Sequence, residues 1–517
     1  MLFLCLSLLL AFAGPLAPFA CAGAPARARS FAGPEARVGG SRPNILLIYA
    51  DDIGFGDVSC NGATTIATPN IDRIAREGLR ATDAHSAAAT CTPSRYAMLT
   101  GEYAFRRKGT GVLPGNATLI IEPGRATLPS TLKGAGYHTA VIGKWHLGLG
   151  AGEPVDWNGD IKPGPLEVGF DRCLLVPATG DRVPCVYVRD HRVVGLGADD
   201  PIRVSYGQRI GDAPTGREAP DTLRMRWDFG HDGTIVNGIS RIGFMTGGER
   251  ARWVDEDMAD VLTNEAVAYL DERAQAGGPF FLYFATHDIH VPRAPHGRFA
   301  GRSGMGPRGD AILQLDDCVG RLLGALDRLG LADDTLVIFT SDNGPVINDG
   351  YRDRSEELLG AHRAAGPWRG GKYSSFEGGT RVPFLVRWPG QVEPGASPAL
   401  ISQVDLPASL AALVGVPREA GFAPDSTDQL RALLGRDTVG RAVLIEQAGA
   451  LAVREGSLKF IAASQRAPYD ASTKTELGNA PEDQLYDLAS DPGETRNLAA
   501  ERPETVARLR AVLEAGR

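Results

Sequence analysis

The sequence predicts an α/β fold, a mostly parallel sheet with helices on both faces. Two observations carry this: apolar runs of strand length that each stop at polar or charged residues, and amphipathic, helix-like stretches between them. A length of 517 residues exceeds one simple core and adds the expectation of a second, smaller unit.

The chain opens with "MLFLCLSLLLAFAGPLAPFACAGAPARARS". This apolar run is too short to span a bilayer, is broken by Gly14 and Pro15, and ends in small residues around Ala20–Gly23. Residues 1–23 read as an export signal and 24–41 as a linker, which predicts a periplasmic or secreted protein. Lipid attachment at Cys21 of "PFAC" is the second reading. No later run is long enough to cross a membrane. Strands are expected in "NILLIYADD" (44–52), "TAVIGKW" (139–145), "PFFLYFATH" (279–287) and "DTLVIFTSDNG" (334–344). Helices are expected in "TPNIDRIAREG", "SRYAMLTGEY", "TLPSTLKGAG", "DMADVLTNEAVAYLDERA" and "AILQLDDCVGRLLGALDRLG". Residues 188–250 are rich in Gly, Arg and Asp without periodicity and read as long loops. The main domain is placed at 42–435. Residues 436–517 read as a C-terminal α+β subdomain, with "RAVLIEQ", "LAVREG" and "SLKFIAA" as short antiparallel strands and "ETVARLRAVLEAG" as a closing helix.

A formal net charge of −8 provides no global field for nucleic acid or an anionic membrane, so an anionic ligand must be held by locally placed cations. Only 7 of the 54 basic residues are lysine, so each lysine departs from a bias toward arginine. Of the seven cysteines, Cys5 and Cys21 lie in or beside the signal; Cys173 and Cys185 are close enough in sequence to pair in an exported protein or to remain two free buried thiols.

In a parallel sheet, functional side chains gather past the carboxyl ends of the strands. Asp51 and Asp52 follow the first strand, and Asp342 and Asn343 follow "TLVIFTS". Either pair alone is an ordinary cap or turn. If the strands are neighbours, three carboxylates and an amide oxygen face one point, which calls for a hard divalent cation, Ca²⁺ or Mg²⁺. A soft thiol at Cys91 is out of place beside such a site.

Here the residues resemble a known family. "CTPSR" (91–95) followed by Leu99, Thr100 and Gly101 resembles the signature of the type I sulfatases, in which this cysteine becomes formylglycine during export. "GYHTAVIGKWHLG", "FATHDIHVPRAPH", "FTSDNG", "WRGGKYSSFEGGTRVPFLVRWPG" and "QLYDLASDPGETRNLA" extend the resemblance from about residue 42 to 500. It implies an alkaline-phosphatase-like fold, a sulfatase catalytic domain at 42–435, and a formylglycine-generating maturation enzyme as a partner. It also implies a cation, Ca²⁺ with Mg²⁺ as the alternative, on Asp51, Asp52, Asp342, Asn343 and the modified Cys91. A hydrated aldehyde would attack sulfur, with Arg95, Lys144 and Lys372 balancing the sulfate oxygens. His290 would protonate the departing alcohol and His146 would take the proton that regenerates the aldehyde. His287 is open between contacting substrate and satisfying a backbone carbonyl.

The implied reaction is hydrolysis of sulfate esters, arylsulfatase-like, with a sulfated carbohydrate as the natural substrate. Asp181, Asp228, His231 and Arg241 stand in the unassigned loops, where they either read sugar hydroxyls or serve turns and surface. The rival readings are a phosphonate or phosphate ester hydrolase with the same modified cysteine, and a catalytically silent protein that binds sulfated glycans. No nucleic-acid partner and no stable membrane span are expected.

Overall fold

The computed structural model of the chain describes residues 42–152, 154–419 and 421–517; the expected export signal, linker and Cys21 lie outside the described residues. Ten strands form the main sheet. They are β1 Asn44–Ala50, β2 Leu79–His85, β3 His138–Lys144, β4 Arg172–Val176, β5 Val188–Arg189, β6 Arg192–Val193, β7 Phe280–Ala285, β8 Thr335–Ser341, β9 Phe384–Arg387 and β10 Gly395–Ser402. Their spatial order is β10-β2-β9-β8-β1-β7-β3-β4-β5-β6. From β8 through β1, β7 and β3 to β4 every pairing is parallel, while β9 and β5 run against their neighbours.

β1, β7 and β8 are buried along their whole length, which is why they are written as continuous apolar runs rather than as alternation. Leu46 and Ile48 of β1, Leu282 and Phe284 of β7, and Val337 and Phe339 of β8 share a core with two long helices. These are α4 Met258–Ala276, through Leu262, Ala266 and Leu270, and α5 Gly306–Arg328, through Ile312, Leu315, Val319, Leu322 and Leu326. Shorter helices include α1 Pro69–Arg76, α2 Cys91–Thr100 and α3 Leu128–Gly134. Tyr49, on the opposite face of β1, lies beneath the guanidinium of Arg95, so α2 covers the other side of the sheet.

The expected C-terminal unit is an antiparallel sheet of β11 Leu444–Gln447, β12 Leu451–Glu455, β13 Leu458–Ile461 and β14 Gln484–Asp487. Ile445, Val453, Phe460 and Leu485 pack against Leu509 and Leu513 of the closing helix Pro503–Ala515, and the cluster continues into Ala97 of α2. Residues 188–250, expected to be loop, supply β5 and β6 at the edge of the main sheet and two small antiparallel ribbons, Arg203–Ser205 with Phe244–Thr246 and Ile235–Val236 with Ile239–Ser240. Cys173 and Cys185 are separate free thiols, donating to the carbonyls of Asp190 and Arg182. Among the described residues no helix is long and apolar enough to cross a membrane.

Candidate active site

Four adjacent parallel strands deliver the site. β1 and β8 pair in register up to Ala50 opposite Ser341, so Asp51 and Asp342 leave the sheet side by side. β7 ends at Ala285 opposite Gly143 of β3, which brings the segment of His287 and His290 next to Lys144 and His146. The crossing of β3 and β7 is tight: a Cβ on Gly143, whose φ is +118°, would lie 1.8 Å from the carbonyl oxygen of Ala285.

The carboxylates of Asp51, Asp52 and Asp342 each offer an oxygen within 4.8 Å of the others, all fully buried. Asp52 adopts the left-handed backbone conformation, φ 61°, which Asp tolerates better than most residues. Each carboxylate has a cation. Lys144 Nζ is 2.5 Å from Asp51, Arg95 donates through Nε and Nη2 to Asp342 at 3.0 and 2.8 Å, and Lys372 Nζ is 3.0 Å from Asp52. Burial and the neighbouring Asp342 raise Asp51 well above the usual carboxylate range despite Lys144. Asp342 resists the same burial because Arg95, Lys144 and Lys372 hold it low.

Asp51 Oδ1 and Asn343 Oδ1 are buried oxygens with no hydrogen-bond partner, both on residues expected to be ligands. Asn343 turns its Nδ2 to Asp52 Oδ1 at 2.7 Å, leaving the oxygen free. An all-oxygen set with two orphaned oxygens fits a hard divalent ion.

Cys91 occupies the first turn of α2, every residue of which is buried. Its Sγ, a carboxylate oxygen of Asp51 and a ring nitrogen of His290 lie within 4.8 Å of one another. Burial pushes the thiol up to about 11, against the pull of Lys144 and Lys372. His146 is tied to α2 through its carbonyl, which accepts from Thr92 at 3.0 Å; its Nε2 is 2.9 Å from the carbonyl of Leu113, and its Nδ1 is buried without a partner. His290 commits Nδ1 to the carbonyl of Val291 at 2.8 Å, leaving Nε2 3.9 Å from Asp52 and 4.0 Å from Asp349. Burial holds both rings below the usual imidazole range, with Lys144 and then Arg182 adding to it at His146, and Lys372 and then Lys144 at His290.

His287 accepts the backbone N–H of Gly180 through Nε2 at 2.9 Å, so the backbone group that this nitrogen satisfies is an N–H and not the expected carbonyl. Burial and Lys144 lower it to about 4. The loop candidates divide. Asp181 and His231 pair at 2.9 Å, and Arg182, then His231, hold Asp181 well below the usual carboxylate range against burial. Asp228 stands apart on Asn348 and the exposed Arg352. Arg241 is not brought to the site: its guanidinium is fully buried on Asp255 and the carbonyls of Gly180 and Val236. Sequence reading missed Asp349, which grips Lys372 Nζ at 2.9 Å and accepts from Tyr373 at 3.1 Å, and Arg182, which grips Asp181 at 2.9 Å. Both sit in irregular loops where no spacing marks them.

A family model described as Sulfatase matches residues 43–416. The chain is 50% identical over 475 residues to an N-acetylgalactosamine-6-O-sulfatase of Bacteroides thetaiotaomicron, covering 92% of this chain and 93% of the relative. It is 34% identical to human arylsulfatase A, covering 88% of this chain and 83% of that protein. A solved 6S-sulfatase from a Bacteroides thetaiotaomicron locus for metabolism of multiple glycosaminoglycans superposes with a TM-score of 0.91 at 50% identity, covering 92% of this chain and 99% of the other. The alignment along nearly the whole chain and the strand-end carboxylates agree, and the chain belongs to the sulfatase family, hydrolases of sulfate esters.

Proposed function

We propose that this sulfatase is an exported enzyme that removes the 6-O-sulfate of N-acetylgalactosamine in sulfated glycans. The observation that carries the chemistry is the convergence of Arg95, Lys144 and Lys372 on one buried cluster that includes Cys91. Three cations at one point suit a tetrahedral oxyanion, and the compact lysine ammoniums approach it as point charges. The sugar and position come from the relative that is half identical across nearly all of both chains.

Asp51, Asp52, Asp342 and Asn343, with an oxygen at position 91, would hold a hard divalent cation, Ca²⁺ or Mg²⁺, whose chemistry is to polarise a sulfate oxygen and acidify the nucleophile. Conversion of Cys91 to formylglycine by a maturation enzyme would supply that hard oxygen. Arg95, Lys144 and Lys372 balance charge on the sulfate oxygens. His290 donates Nδ1–H to the carbonyl of Val291, so it delivers a proton to the leaving oxygen through Nε2 as the imidazolium, the form that the negative charge of a bound sulfate ester favours against the pull of Lys372 and Lys144. His146, with Nε2 on Leu113, has Nδ1 left to accept one. Asp181 and His231 face sugar hydroxyls from the loop that His287 supports, whereas Arg241 braces that loop through Asp255.

The test is a panel of 6-sulfated N-acetylgalactosamine, 4-sulfated N-acetylgalactosamine and 6-sulfated N-acetylglucosamine, with paired aryl sulfate and aryl phosphonate esters. The first sugar should be preferred by about a hundredfold or more, because a site built to bond a sugar hydroxyl rejects an isomer that leaves its polar groups unpaired. Preference for the 4-sulfate, or faster phosphonate turnover, overturns the assignment.

The cation has its own test. Asp342→Ala should lose metal and activity, but it also strips buried Arg95 of its carboxylate, a loss of about 3–5 kcal/mol. Asn343→Ala removes a ligand oxygen and spares that pair. It should lower bound metal per chain and shrink the drop in Tm that a chelator produces in the wild type. Unchanged metal content in both variants would show that the two strand ends do not share an ion.

A further inference from the structure

The segment that carries Lys372 is held from behind by the small C-terminal sheet and the turn beside it. Ser375 donates its N–H to the carbonyl of Leu477 at 2.9 Å, and Ser374 Oγ donates to that of Glu476 at 2.6 Å. Ser375 Oγ bridges the N–H and carbonyl of Ala450. Phe376 packs among Ala450, Ala452, Ile461 and Tyr486. Tyr373 donates to the carbonyl of Ala89, whose own N–H reaches the carbonyl of Gln447 at the end of β11.

Glu377 is the centre of this attachment and is fully buried. Its Oε1 accepts from Arg381 at 2.8 Å and from Arg454 of β12, its Oε2 from Lys459 of β13 at 3.1 Å, and its N–H donates to Glu494 at 2.7 Å. His85 approaches to 3.6 Å, and Asp83 and Glu446 complete the cluster on Arg454 and Lys459. The alternation of the small sheet explains the arrangement. Ile445, Val453 and Phe460 point to its apolar core, so Glu446, Arg454 and Lys459 point the other way, onto Glu377. Apolar residues there would serve stability as well, because a buried ionic cluster carries a desolvation penalty; what directional, charged contacts add is a fixed position.

We propose that Glu377 is a positioning residue for Lys372, so that the C-terminal sheet sets the place of the ammonium five residues upstream and belongs to the sulfate site without touching it. This rests on the reading of Lys372 as a sulfate-binding cation. The test is a cycle of wild type, Glu377→Gln, Lys372→Ala and the double variant, read by kcat/KM on an aryl sulfate, by inhibition with inorganic sulfate, and by Tm. Glu377→Gln should lose about 10- to 100-fold in kcat/KM, the scale of a misplacement near 1 Å, and bind inorganic sulfate more weakly. The double variant should be no slower than Lys372→Ala, since a misplaced lysine cannot be lost twice. Losses that multiply overturn the proposal, because a general loosening of the fold would add to the loss of Lys372. If Glu377→Gln fails to fold, Ser375→Ala carries the same cycle with the same two outcomes. Lys372→Ala at the wild-type rate removes the sulfate-binding reading and this proposal together; multiplying losses remove this proposal alone.

Discussion

Cys91→Ala is expected to abolish sulfate release, with a loss on the order of 10⁴-fold or more, as befits removal of a nucleophile. The thiol itself is a poor nucleophile where it stands. It is 1% exposed, and burial pushes it to about 11, so at neutral pH it holds its proton. Its neighbours are the oxygen donors of a hard-cation site, which a sulfur ligand suits badly. The chemistry therefore calls for oxygen at position 91, and Cys91→Ser should remain far below the wild type because a single hydroxyl lacks the second oxygen that releases sulfate by cleavage at carbon. Peptide mass spectrometry of active protein should find the fragment containing residue 91 lighter by the exchange of thiol for carbonyl. Only unmodified cysteine in fully active enzyme would sink the mechanism.

His290→Ala should split substrates by leaving group. An alkoxide from a sugar leaves poorly and needs a proton, whereas an activated phenoxide needs little help, and general acid catalysis is typically worth about a hundredfold to ten-thousandfold. The variant should therefore be severely slow on the sugar sulfate and much less impaired on an activated aryl sulfate. Arg95→Ala and Lys372→Ala should slow both, since sulfate oxygens must be balanced whatever departs. His287→Ala should show no such split, because its Nε2 is committed to the N–H of Gly180. Equal impairment of His290→Ala on both substrates would move His290 to a positioning role.

The strand-end carboxylates were legible because a parallel sheet gathers the ends of its strands, and the pairing of Ala50 with Ser341 realises the neighbourhood that Asp51 and Asp342 required. The central strands were legible because burial on both faces writes unbroken apolar runs. The helix of Cys91 is buried all round; "SRYAMLTGEY" read as helix, but its first turn, Cys91–Pro93, was marked by the cysteine motif alone. The loops were the opaque part. Arg241 and Asp181 are both charged residues in irregular chain, yet one is locked on Asp255 and the other pairs with His231; that difference is made by tertiary contacts more than ten residues away. Asp349 escaped notice for the same reason, being fixed by Lys372 and Tyr373 rather than by any period.

The burial of α2 also orders events in the life of the chain. Cys91 lies in the first turn of a helix with the main sheet below it and the C-terminal sheet packed on Ala97, so no catalyst of protein size can reach its sulfur once these layers close. If Cys91 is converted to formylglycine as proposed, the converting enzyme would have to meet it while the polypeptide is still open, ahead of folding. A molecule that folded first would then keep its thiol, and the active fraction of a preparation would be set by a race between modification and collapse, not by the stability of the finished enzyme.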